Sequence, residues 1–105
     1  MLHIVFVTHT PLTCPGADAD VRVKALAGLS EVEKACAERG MRVVGGWVDR
    51  PAHALYFIVD APNAHEVTKL AVDLKFSDWS TVDVNPVIEV GELRDALGQM
   101  VAAGA

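Results

Sequence analysis

Two apolar runs with only Arg50, Pro51 and Ala52 between them constrain this chain more than any other feature. Residues 41–49 and residues 53–60 are both rich in strand-forming side chains, and the second carries the continuous run Leu55, Tyr56, Phe57, Ile58 and Val59. A link of three residues is too short for a crossover, so the two strands must be antiparallel neighbours in one sheet. Gly45 and Gly46 interrupt the first of them and predict a bulge or a close approach of backbone.

Each side of this hairpin repeats one pattern. Before it, Leu2, Ile4, Val5, Phe6, Val7 and Thr8 predict a strand over 2–9, broken by the segment from Pro11 to Gly16. Side chains alternate across a strand, so His3, Val5, Val7 and His9 share one face and Leu2, Ile4, Phe6 and Thr8 the other. A helix follows, capped by Asp18 or Asp20, with Val21, Ala25, Leu29, Val32 and Cys36 as its apolar stripe and Arg39-Gly40 as its end. After the hairpin, Pro62 and Asn63 open a second helix striped by Val67, Leu70, Ala71 and Leu74. Residues 76–80 connect to a fourth strand over 81–90, where Pro86 argues for a sheet edge. A short terminal helix is expected to turn Leu93, Leu97 and Met100 inward.

The order is βαββαβ with a C-terminal helix. It predicts an α+β, ferredoxin-like domain over 1–105 with strand order 4-1-3-2 and both helices on one face. The opposite face is expected to be bare, and to carry Val5 and Val7 with Leu55, Phe57 or Val84. Such a face is too apolar for water, so a homodimer closed sheet against sheet is expected.

Composition excludes several classes of function. Apolar residues make up 51% and charged residues 22%, the balance of a folded chain. The formal net charge of −5 and the lack of a basic cluster disfavour nucleic acid. No run approaches the length of a membrane span and no secretory signal is evident, so the cytoplasm is expected and a membrane partner is not. Cys14 and Cys36 form no disulfide framework. Nucleotide-binding, dithiol and common metallohydrolase motifs are all missing.

Three stretches carry a likeness to known proteins: Gly45-Gly46-Trp47, the strand Leu55 to Asp60 followed by Ala61-Pro62, and Val82-Asp83-Val84-Asn85-Pro86-Val87-Ile88. Through them the chain resembles the dimeric α+β barrel superfamily, which includes muconolactone isomerases and antibiotic-biosynthesis-type monooxygenases. More narrowly it resembles a family of small proteins called domain of unknown function 3303. The resemblance implies a barrel enclosed by one sheet from each of two subunits, with a pocket inside. It implies no catalytic residue.

The topology gathers chemistry at one mouth of the sheet. His9 ends the first strand, His53 begins the third, Trp47 and Asp49 end the second, Cys14 lies in the loop leaving that mouth, and Trp79 precedes the fourth strand. Three readings compete. The first is a pocket for a small, partly apolar molecule, with or without cofactor-independent isomerase or monooxygenase chemistry. There His9 is the acid–base group, Asp49 orients it, and Trp47, Trp79 and Cys14 contact the ligand. The second is a zinc or copper site formed by His9, Cys14 and His53, although their spacing matches no standard motif. The third is a structural or interaction domain. Elsewhere the bland reading holds: Cys36 belongs to a helical core stripe, His65 to an exposed helix face, and His3 is expected to be partly exposed.

Overall fold

The computed structural model describes residues 1–104. Four strands and three α-helices follow in the order β1 (Leu2–Thr8), α1 (Ala19–Glu38), β2 (Arg42–Asp49), β3 (Ala54–Asp60), α2 (Ala64–Asp73), β4 (Thr81–Val87) and α3 (Val90–Ala102). Short 3-10 turns lie at Pro11–Thr13 and Phe76–Asp78. The strands form one antiparallel sheet of order β2-β3-β1-β4, the ferredoxin-like arrangement expected from the chain order. β4, with Pro86, is an edge strand. The β2–β3 register slips between Val43 and Gly45, so the glycine pair does mark a bulge.

The caps work as their side chains allow. Asp18 accepts the N–H of Val21 at 3.0 Å at the start of α1, and Asn63 accepts the N–H of Glu66 at 3.0 Å at the start of α2. Both helices cover the same sheet face. The core joins Val5 and Val7 of β1, Leu55 and Val59 of β3, Ala25 and Cys36 of α1, Val67, Leu70 and Ala71 of α2, and Phe76 with Trp79 from the connection before β4. Gly28 lets α1 approach closely, since a Cβ there would lie 2.9 Å from the carbonyl oxygen of Leu74.

Three expectations are corrected. The face of His3, Val5 and Val7 is the one beneath the helices, not the bare one; the bare face carries Leu2, Ile4, Phe6 and Thr8. Phe6 stacks there on Tyr56 of β3, with ring centroids 4.8 Å apart. Alternation separates two faces but does not say which will be covered, and here both are apolar on β1. For the same reason His3 is fully buried (0% exposed), not partly exposed. At the C-terminus, β4 ends at Val87 and the chain enters α3 at Val90, where no residue is buried. Leu93, Leu97 and Met100 face solvent instead of a core.

Candidate functional site

His9 follows the last residue of β1 and keeps the parity of Val5 and Val7, so its ring enters on the helix side of the sheet. Its N–H donates to the carbonyl of His53 at 3.1 Å, which extends the β1–β3 pairing one step past Thr8 and Ala54. That bond brings the end of β1 to the start of β3. His53 closes the β2–β3 turn, donating its N–H to the carbonyl of Arg50 at 3.1 Å. Its φ of 51° is left-handed, which costs a non-glycine residue on the order of 1 kcal/mol.

The two imidazoles meet edge to face, with ring centroids 5.2 Å apart and planes at 83°. His53 Nδ1 and His9 Nε2 are separated by 3.4 Å. That is long for a hydrogen bond. Two nitrogens bound to one tetrahedral ion at roughly 2.05 Å would also lie about 3.4 Å apart. The Cys14 sulfur completes the group: one ligand atom from each of His9, Cys14 and His53 lies within 4.8 Å of the others. All three residues are half-buried.

Local bonding places Cys14 here. The Pro11–Thr13 turn ends at Cys14, whose carbonyl accepts the N–H groups of Ala17 and Asp18 at 3.0 and 2.9 Å. Arg22, one turn into α1, reaches back with Nε to the Pro15 carbonyl at 3.0 Å and with a terminal nitrogen to the Gly16 carbonyl at 3.2 Å. The loop is thereby tied to the helix that follows it.

Around the three side chains opens a cleft of about 530 Å³, mostly apolar, walled by Ala25 and Leu29 of α1, Val48 of β2, Leu55 of β3 and Trp79. Trp79 is 4% exposed and its ring centroid lies 5.6 Å from that of His9. Among the described residues its indole N–H has no hydrogen-bond partner, and neither has Nδ1 of His9. Burial first, and the neighbouring His53 second, lower the pKa of His9 below its ordinary value near 6.5. A ring held neutral presents a lone pair, which suits a base or a metal ligand alike.

Of the residues expected at this mouth, the structure brings together His9, Cys14, His53, Trp79 and Asp49 along one cleft. Trp47 is not among its walls. It pairs with Tyr56, which stacks on Phe6, so its side chain lies on the bare face of the sheet and is 60% exposed. The Asp49 carboxylate accepts the N–H of Ala52 at 3.1 Å and so caps the hairpin turn, while the neighbour of the His9 ring is His53. Arg50 at the rim and the Arg22 tie had no sequence signal, because both act through loop geometry. Leu29 was legible as part of the α1 stripe but not as a cleft wall.

Among the described residues, no helix is long and apolar enough to cross a membrane. No curated protein matches the chain. The family model of a domain of unknown function (DUF3303) matches residues 2–101, nearly the whole of the fold just described, and the chain therefore belongs to that family.

Proposed function

We propose that this protein holds a transition-metal ion through His9, Cys14 and His53, with the ion's free position opening into the apolar cleft where a small molecule binds. The carrying observation is the clustering of two imidazoles and a thiol from three separate segments, with the nearest nitrogens at 3.4 Å. Imidazole and thiolate together favour zinc or copper over magnesium or calcium. Three protein ligands and one open position is the arrangement of reactive, not structural, zinc sites. The left-handed backbone at His53 supports the reading, since strain of this kind collects at functional positions.

Elemental analysis after growth with zinc and copper tests it, together with titration of the apo protein by Co²⁺. The expected result is one metal per chain, tetrahedral cobalt absorption, and a thiolate charge-transfer band that disappears in Cys14→Ser. Absence of stoichiometric metal, together with absence of a cobalt complex, overturns the metal centre.

A second reading is favoured by the lowered pKa of His9: a metal-free pocket in which the neutral ring is a general base in an isomerase or monooxygenase-type reaction. Here His53, not Asp49, is the group beside the base. A thermal-shift screen of aromatic acids, lactones and quinones with chelator present separates the two. Ligand stabilisation that survives the chelator supports the pocket alone. In either reading the bare sheet face of Leu2, Ile4 and Phe6 is where a second copy would close the barrel.

A further inference from the structure

Among the described residues, α3 is a helix without a partner. Val90, Leu93, Leu97, Met100 and Val101 recur at the spacing of one apolar stripe, yet every one of them is at least half exposed and no residue of the helix is buried. The radius of gyration is 16.6 Å, whereas a compact chain of this length has about 13 Å. The longest dimension is 59 Å against a thickness of 18 Å, as a helix standing off a two-layer body would give.

The body carries a matching concavity. Between α1 and β2 runs a groove of about 390 Å³, bordered by Leu29, Val44 and Val48, with Val32 and Phe57 beneath. Val44 and Val48 are both exposed. Gly46 keeps the floor low, since a Cβ there would come within 2.8 Å of the Phe57 ring. Glu33 also lines the groove, and the polar side of α3 offers Arg94.

We propose that α3 is an exchanged arm, docking in the α1–β2 groove of a second copy of this chain. The sheet order decides against the same copy. β4 and β2 are opposite edges, about 14 Å apart across three strand spacings. A two-residue link, Ile88-Glu89, starts α3 at the β4 edge. Crossing the bare face would leave the helix on the wrong side of the sheet, because the groove opens on the helix side. A second copy has no such restriction, and a two-fold axis makes the exchange reciprocal. Each arm offers on the order of 400 Å² of apolar surface, so two arms and two grooves bury about 1,600 Å², the size of a stable interface. Leu29, Val48 and Leu55 line both the groove and the candidate cleft, so the docked arm would close one side of the cleft.

Sedimentation velocity of the full chain tests the exchange, with Leu97→Asp breaking the arm and Val44→Asp breaking the groove. Both residues are exposed and neither lines the cleft, so circular dichroism is expected to be unchanged. The wild type is expected to be dimeric at micromolar concentration, and each variant to dissociate at least about tenfold more readily. An equimolar mixture of the two variants keeps one intact arm-in-groove contact per pair. It is therefore expected to dimerise more strongly than either variant alone. A wild type that is monomeric at about 100 μM overturns the proposal. So does a dimer indifferent to both substitutions, or a mixture that gains nothing, either of which would leave the bare sheet face as the whole of the contact between copies.

Discussion

The two ends of β1 carry the same residue type with the same parity and opposite fates. At one end His3 is sealed beneath the helices, neither ring nitrogen having a partner among the described residues. At the other, six residues on, His9 opens into a cleft and faces a second imidazole and a thiol. Residue type and strand position do not separate them. What differs is the cover: His3 lies where the helical layer is continuous, and His9 where α1, the Cys14 loop and the β2–β3 turn leave a gap. An imidazole acquires chemistry from the company its surroundings permit.

The largest expected difference is in metal affinity. His9→Ala is expected to weaken Co²⁺ or Zn²⁺ binding by at least about 100-fold by competitive titration, because it removes a ligand outright. His3→Leu is expected to leave that affinity unchanged. Equal losses in both would erase the distinction between the two ends.

His53→Gly comes next and separates binding from stability. The variant is expected to lose metal as His9→Ala does. Glycine adopts the 51° φ without strain, so the apo protein should melt higher, by up to about 1 kcal/mol in unfolding experiments. A less stable variant would mean that the His53 ring contributes packing as well as a ligand.

His3→Leu is expected to stabilise the fold by about 1 kcal/mol in urea, since it replaces a buried polar ring lacking a partner by an apolar side chain of similar bulk. A loss instead would show that His3 meets a need of its own in the core.

The smallest effect is in pH. Because the folded protein lowers the pKa of His9, the unfolded chain takes up its proton first as pH falls. The contribution of His9 to apo-protein stability is therefore complete above about pH 6.5 and declines as pH drops below it. His9→Gln should make urea-unfolding free energy less dependent on pH between roughly 7 and 5. An unchanged slope would locate the dependence in other groups.

Much of this architecture was legible in residues. The three-residue turn forced the hairpin, the stripes of α1 and α2 gave the helices, Gly45-Gly46 the bulge and Pro86 the edge. The meeting of His9 with His53 was also legible, because antiparallel pairing of the first and third strands brings the end of one to the start of the other. The inward turn of Leu93, Leu97 and Met100 was not: their stripe is genuine, but periodicity states that a helix has an apolar side without saying what meets it. Trp47 failed as a cleft wall for a related reason. It ends the correct strand, yet its pairing with Tyr56 puts the indole on the bare face beside Phe6 and Tyr56, across the sheet from the cleft.

By itself, then, the sequence determined the order of elements, their pairing and which end of the sheet collects imidazole, thiol and carboxylate, because alternation, helical period and link length are local properties. The tertiary structure alone decided which face of β1 is buried, which histidine is sealed and which exposed to a cleft, and where α3 is left without cover. Those outcomes depend on how layers pack over one another, and two faces that both carry apolar side chains in sequence become different only when one of them receives the helices.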